Sequence, residues 1–313
     1  MKVLITGARG FIGRHAALTF AARGDTVAGL GHGAWTEAEH LAAGLALWRN
    51  GEVSHANLDA VAAALGPPDA VVHLAGGSAV GPSFAQPAED LHRSVSAAAA
   101  LAEWARMRAP GSALVMASSA AVYGAGHEGP ISEACPSTPF SPYGYHKRMA
   151  ELLLQSYAHN FGLRVAVVRF FSVYGPGLRK QLLWDACTKL LAAPPALALG
   201  GTGHELRDWL HVADASRLLA AAVDAASDAC PLFNGGTGVG TAVRDIATTL
   251  ASHWGVPQLP VGFSGQSRAG DPHSLVADVR AMAALGGLPQ VAWRDGLAEY
   301  VAWFKAQASL AQP

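Results

Sequence analysis

Three side chains in the middle of this sequence have the types and spacing needed to move a proton on and off a carbon-bound hydroxyl. Ser119 lies in Ser118-Ser119-Ala120-Ala121-Val122-Tyr123-Gly124, directly after the apolar run Ala113 to Ala117. Tyr143 and Lys147 lie in Ser141-Pro142-Tyr143-Gly144-Tyr145-His146-Lys147. Ser141 can cap a helix and Pro142 can take its first position, so the tyrosine and lysine, at i and i+4, are expected on one face. A tyrosine, with an ordinary pKa of about 10, is a poor base at neutral pH, and a neighbouring ammonium favours its phenolate. Lys147 is therefore expected to tune Tyr143, with Ser119 holding the reacting oxygen by a hydrogen bond. Tyr-x-x-x-Lys recurs by chance on ordinary helices, so the elements around it decide its meaning.

The first such element is a turn. The apolar run Val3 to Thr6 leads straight into Gly7-Ala8-Arg9-Gly10-Phe11-Ile12-Gly13, which opens a helix. Glycines there let the chain turn tightly and let a pyrophosphate approach the helix N-terminus, whose free N–H groups and dipole favour anions. Strand, turn and helix in that order predict a dinucleotide site. With a nicotinamide dinucleotide bound, Tyr143 would exchange the hydroxyl proton while hydride passes between nicotinamide C4 and the substrate, and Lys147 would also anchor the ribose. An acid at the end of the second strand normally receives the adenosine ribose 2′-hydroxyl. Here that strand ends Gly29-Leu30-Gly31-His32-Gly33, with no acid before Glu37, and Arg9 and His32 can face a 2′-phosphate instead. NADP(H) is thus favoured. NAD(H) stays possible if backbone groups hold the ribose and Arg9 is merely solvated.

Apolar runs alternate with Ala-rich helical stretches through the first half. Val3 to Thr6, Thr26 to Leu30, Ala70 to Leu74, Ala113 to Ala117 and Arg164 to Arg169 read as buried strands. Phe11 to Ala22, Leu58 to Leu65, Ala88 to Arg108 and Pro142 to Asn160 read as helices, with Gly24, Gly66 and Gly162 at their ends. This is the mark of an α/β fold, a Rossmann-type doubly wound parallel sheet. After Tyr174-Gly175-Pro176-Gly177 the alternation stops and Pro/Gly clusters divide shorter elements. The expected division is a dinucleotide-binding domain over 1–172, with 208–236 returning to it, and a smaller α/β substrate-binding domain over 173–313.

Composition narrows the partners. The 313 residues carry 22 Lys plus Arg against 23 Asp plus Glu, a net charge of −1, which gives no global field for nucleic acid or a membrane surface. Apolar runs break before the roughly 18 to 20 residues needed to span a bilayer. The opening Met1-Lys2-Val3-Leu4-Ile5 meets Thr6-Gly7 too soon for a signal peptide, so a cytoplasmic protein is expected. Cys135, Cys187 and Cys230 form no Cys-x-x-Cys, and the 13 histidines show no ligand spacing, so neither a disulfide framework nor a metal site is expected.

These motifs together resemble the extended short-chain dehydrogenase/reductase family acting on nucleotide sugars, nearly end to end. The resemblance rests on Gly7 to Gly13, His73-Leu74-Ala75, Ser119 to Gly124, Tyr143 to Lys147, Arg169-Phe170-Phe171-Ser172-Val173-Tyr174-Gly175-Pro176, Arg207-Asp208-Trp209-Leu210-His211-Val212, Asn234-Gly235-Gly236 and Arg268-Ala269-Gly270-Asp271. It implies catalysis by Ser119, Tyr143 and Lys147. It implies a cofactor site along Gly7 to Gly13, Gly31 and His32, with Glu52 and Val53 near the adenine and Leu74, Ala75, Gly76 and Phe170 near the nicotinamide half. Arg207 and Arg268 would grip the substrate diphosphate, whose shape suits bidentate arginine. Ser172 stands where the family often has a substrate-facing Asn, and Ser94 where it has another. Gln181 falls in Leu178 to Trp184, read equally as pocket wall and as amphipathic helix core. The resemblance also implies a homodimer paired through the helices from Ala88 and Pro142, though these could as well cover the sheet of a monomer.

Departures from the family pattern restrict the reaction. Members that dehydrate across C4 to C6 carry an Asp-Glu pair after the catalytic hydroxyl residue; Ala120 and Ala121 stand there. GDP-fucose-synthase-like members, which epimerise C3 and C5, use a Cys and a His where this chain has Ala121 and Gly177. What remains needs only hydride and one hydroxyl proton. The leading expectation is NADPH-dependent reduction of a nucleotide-activated 4-keto-6-deoxy sugar. The runner-up is a 4-epimerase with tightly held NAD, and a non-catalytic dinucleotide-sensing regulator comes third.

Overall fold

The computed structural model describes residues 1–266 and 271–310. Seven parallel strands form the central sheet in the order Leu232–Gly235, Arg164–Phe170, Ala113–Ser119, Ala70–His73, Lys2–Thr6, Thr26–Gly31 and Leu47–Asn50. The apolar runs have no polar alternation because both faces of the sheet are covered. Successive residues point to opposite faces, so Val3, Ile5, Val72 and Val115 pack on one side against Phe20 and Leu218, while Leu4, Val71, Leu114 and Val167 pack on the other against Leu101, Trp104 and Leu154. Helices Phe11–Ala22 and Val212–Ala225 thus cover one face, and His55–Leu65, Ala97–Arg108 and Pro142–Phe161 the other. The doubly wound sheet is as expected.

The third strand was not anticipated. Leu47-Trp48-Arg49-Asn50 is half-exposed at the sheet edge and has no apolar run. The long helix expected over Ala88 to Arg108 is also not uniform: Pro87–Leu91 and Ala97–Arg108 flank a π-helical turn at His92–Ser96. Such turns recur at functional sites. Here it buries Ser94, whose Oγ accepts a hydrogen bond from Gly77 N at 3.0 Å and so fixes the loop after strand Ala70–His73.

Beyond Phe170 the chain builds a second, smaller set of elements. Leu206–His211 pairs with Gly240–Ala242, Ser274–Leu275 and Ser172–Tyr174, and Leu197–Leu199 pairs with Val261–Phe263. Helices Gln181–Leu191, Val243–Trp254 and Trp293–Leu310 close a core around Leu183, Leu190, Ile246, Leu250, Tyr300 and Phe304. Between these elements the chain returns to the central sheet, through helix Val212–Ala225 and strand Leu232–Gly235. Asp208 organises the crossing: its buried carboxylate accepts hydrogen bonds from Thr237 N (2.6 Å), Thr237 Oγ1 (2.7 Å), Gly238 N (2.9 Å) and Ala277 N (3.1 Å). No helix among the described residues is long and apolar enough to cross a membrane.

Candidate active site

A cleft of about 1320 Å³ opens along the carboxyl ends of the central strands, where open α/β sheets bind ligands. At its floor the glycine turn needs glycine for space. A Cβ on Gly13 would sit 2.3 Å from Gly7 O, and one on Gly7, whose φ is +72°, would sit 2.8 Å from Ala75 N. Helix Phe11–Ala22 therefore starts against the cleft with Gly10 at its N-cap and no side chain capping its first N–H groups. That is a fitting cradle for a pyrophosphate. Gly31, His32, Glu52, Val53, Leu74, Ala75, Gly76 and Phe170 line the same cleft, as do Gly7, Arg9, Gly10, Phe11, Ile12 and Gly13. Arg9 folds over Gly33, where a Cβ would meet its guanidinium at 2.5 Å. Gly33 is held by Asn50 Oδ1 (3.0 Å from Gly33 N) and Trp48 Nε1 (3.2 Å from Gly33 O). His73, beside this floor, is buried, hydrogen-bonded through Nδ1 to Thr6 Oγ1 at 2.7 Å and pushed down to a pKa of about 3 by burial and by Lys147, so it stays neutral.

Ser119, Tyr143 and Lys147 meet in the cleft. Ser141 Oγ accepts from Gly144 N at 3.2 Å and Pro142 opens the helix, which fixes Tyr143 and Lys147 one turn apart, with Lys147 Nζ 5.8 Å from the Tyr143 ring centre. Tyr143 N donates to Ser83 Oγ at 3.0 Å. Burial pushes the Tyr143 phenol above its ordinary pKa, the Ser119 hydroxyl pulls it down and Asp90 pushes it up. Lys147 donates to Ala117 O at 3.1 Å and is itself lowered to about 8, chiefly by burial, with Asp90 and Glu151 opposing and Lys180 adding to the fall. Burial thus works against the phenolate, and a cationic nicotinamide ring bound beside it would work in its favour.

On the substrate side Ser172, Gln181 and Arg207 line the cleft, as do Ala120 and Ala121. Arg207 does not pair with Asp208; its Nη1 donates to Leu206 O at 2.8 Å and it feels Asp271 across the cleft. Arg268 lies outside the described residues. The stretch Leu178 to Trp184 divides between its two readings: Leu183 is core and Trp184 meets Phe304 edge to face, while Leu178, Lys180 and Gln181 line the cleft. Lys180, not singled out from sequence, spans the opening by donating to Ser78 O at 2.7 Å. The buried pair Asp90 and His146, joined at 2.6 Å behind Lys147, was also missed, because nothing in either local sequence marks a contact 56 residues apart. Beneath the site, Arg169 grips Glu151 with two bonds (2.9 and 2.7 Å) and Ser118 Oγ donates to the same carboxylate at 2.5 Å, tying strand ends to the catalytic helix.

A model of the NAD dependent epimerase/dehydratase family matches residues 3–234. The chain belongs to that family. It is 32% identical to a UDP-glucose 4-epimerase of Azospirillum brasilense over 315 residues, covering 95% of this chain and 89% of that protein. Among solved structures it resembles MoeE5 in complex with UDP-glucuronic acid and NAD (TM-score 0.85, 31% identity, 98% of this chain and 100% of that one). It also resembles DesIV, a dTDP-glucose 4,6-dehydratase from Streptomyces venezuelae with NAD bound (TM-score 0.88, 28% identity, 100% and 99%). Within the epimerase/dehydratase family it is an enzyme of the extended short-chain dehydrogenase/reductase type, grouped with the nucleotide-sugar epimerases and dehydratases. Both family structures named here hold NAD, so the preference for NADP finds no support in them.

Proposed function

We propose that this enzyme is a nucleotide-sugar 4-epimerase that uses tightly held NAD, most simply on a UDP-hexose. One observation carries the reading: Ser119, Tyr143 and Lys147 converge in the cleft while the two residues after Ser119 are alanines. That set can move one hydroxyl proton but has no second acid or base for C5 or C6. Reduction of a 4-keto-6-deoxy sugar needs the same set. The UDP-glucose 4-epimerases among its relatives tip the balance toward epimerisation.

Bound NAD supplies the hydride acceptor and donor at C4. Tyr143 takes the C4 hydroxyl proton and later returns it, and Ser119 donates a hydrogen bond to the same oxygen. Lys147 holds the cofactor ribose and, on the nicotinamide side, stabilises the phenolate. Arg207 meets the diphosphate of the substrate, and Arg268 is assigned the same role. Ala120, Ala121 and Ser172 leave room for the sugar to turn and present its other face. We read residues 1–172, with the returning segment 208–236, as the dinucleotide domain and 173–313 as the substrate domain. A homodimer is proposed from the exposed Tyr145, Met149 and Leu152 on helix Pro142–Phe161.

A second reading, the NADPH-dependent 4-ketoreductase, keeps one supporting observation: Arg9 lies over Gly33 and the strand Thr26–Gly31 ends without an acid. Mass spectrometry of the cofactor released by denaturing the purified protein separates the two. The epimerase reading predicts NAD and interconversion of UDP-glucose and UDP-galactose without added cofactor. Recovery of NADP with no interconversion would move the assignment to the reductase.

A further inference from the structure

A second cavity, of about 440 Å³, lies outside the cleft beside the glycine turn and is lined by Arg9, Arg14 and Arg179 with Phe11, Trp303 and Gln307 among its walls. Each guanidinium is oriented by an aromatic face or a neutral acceptor. Arg14 lies 4.9 Å and Arg9 5.7 Å from the Trp35 ring centre, and Arg179 lies 5.8 Å from that of Trp303 while donating to Gln307 Oε1 at 2.7 Å. Among the described residues no Asp or Glu lines this cavity, and none of the three arginines is ion-paired. Glu39, the acid whose field reaches Arg9 and Arg14, spends its carboxylate on Thr36, accepting from Thr36 N at 2.7 Å. Burial first, and then the like charges of Arg9 and Arg179, lower the proton affinity of Arg14, with Glu39 opposing.

We propose that this cavity is a phosphate site, built to receive a phosphomonoester dianion on Arg9, Arg14 and Arg179. Planar, fully charged guanidinium forks match the tetrahedral oxygens of a phosphate, and the Phe11 and Trp303 walls offer apolar surface to whatever the phosphate is attached to. The phosphate can come from a free phosphorylated metabolite or from the 2′-position of a dinucleotide. Arg9 lines both this cavity and the cofactor cleft, so occupancy here is coupled to cofactor binding. The free metabolite as source is independent of the epimerase assignment, whereas the 2′-phosphate as source goes with the NADP-dependent second reading.

The test uses the full chain saturated with NAD⁺, titrated calorimetrically with inorganic phosphate and with AMP. The proposal predicts saturable uptake of one equivalent, weakened at least about tenfold by Arg14→Gln and by Arg179→Gln, as for loss of a charged hydrogen bond. NAD⁺ affinity stays unchanged in both variants, whose side chains lie outside the cleft, and this also reports that they fold. NADP⁺ binding more tightly than NAD⁺, by a factor that both variants erase, supports the site with the cofactor as its source. The proposal is overturned if neither probe binds the NAD⁺-loaded chain saturably and the variants leave the NADP⁺ to NAD⁺ ratio untouched, or if uptake is the same in the variants as in the parent.

Discussion

At the scale of the residue, the phenol of Tyr143 and the ammonium of Lys147 are both held away from their ordinary proton affinities by burial. Removing the phenolic oxygen should cost turnover and little else. Tyr143→Phe is expected to lower kcat by roughly 10² to 10⁴ while leaving nucleotide-sugar binding intact, as for loss of a positioned acid/base, which steady-state kinetics and calorimetry on the same preparation check. Lys147 carries a cost of a different kind. Its folded pKa of about 8 lies below the ordinary lysine value of 10.5, so below pH 8 the native state bears the full penalty of a buried charge. The penalty is relieved as pH rises from about 8 to 10.5, because there the unfolded chain binds the proton that the folded chain has released. Lys147→Met should therefore be inactive yet more stable than the parent at pH 7. That stability difference, read from denaturant unfolding, should shrink across this interval, whereas a constant difference would mean that the charge is not what destabilises.

At the scale of the element, the helix Pro142–Phe161 is positioned at both ends of its catalytic stretch. Ser141 caps it, and loss of that cap in Ser141→Ala is expected to cost about 1 kcal/mol in unfolding free energy. Glu151 anchors it from below through the buried bonds to Arg169 and Ser118. Glu151→Ala strands the Arg169 charge in the core and is expected to cost roughly 3–5 kcal/mol, measured by chemical denaturation. Elements such as this helix were legible in sequence because the signals are local: a cap, a proline and a face at 3.6-residue spacing. The glycine turn is legible for the same reason, since backbone crowding at Gly7 and Gly13 permits nothing larger. The edge strand Leu47–Asn50 was not, as pairing with Thr26–Gly31 rather than its own composition makes it a strand. The π turn at His92–Ser96 was hidden too, because the extra residue is stabilised by what Ser94 meets across the fold. Asp90 with His146, and Lys180 with Ser78, likewise exist only once distant segments pack.

At the scale of the whole molecule, a chain of net charge −1 concentrates its cations where phosphates would lie. Arg9, Lys147, Lys180 and Arg207 line one cleft, and Arg9, Arg14 and Arg179 line its neighbour. The low overall charge argued against polymers and membranes but left small phosphorylated ligands open. The two-part architecture brings the glycine turn, the catalytic helix and the segment after Pro176 to that cleft from separate stretches of chain. A self-paired helix Pro142–Phe161 predicts a dimer mass in sedimentation velocity, and Met149→Lys with Leu152→Lys should give the monomer. The central claim, that hydride leaves and returns at C4 within one closed site, is tested most directly by isotope. UDP-glucose deuterated at C4 should give UDP-galactose that keeps its deuterium at C4, in a reaction needing no added cofactor. Deuterium lost from C4, or a product that has lost water between C5 and C6, would contradict it.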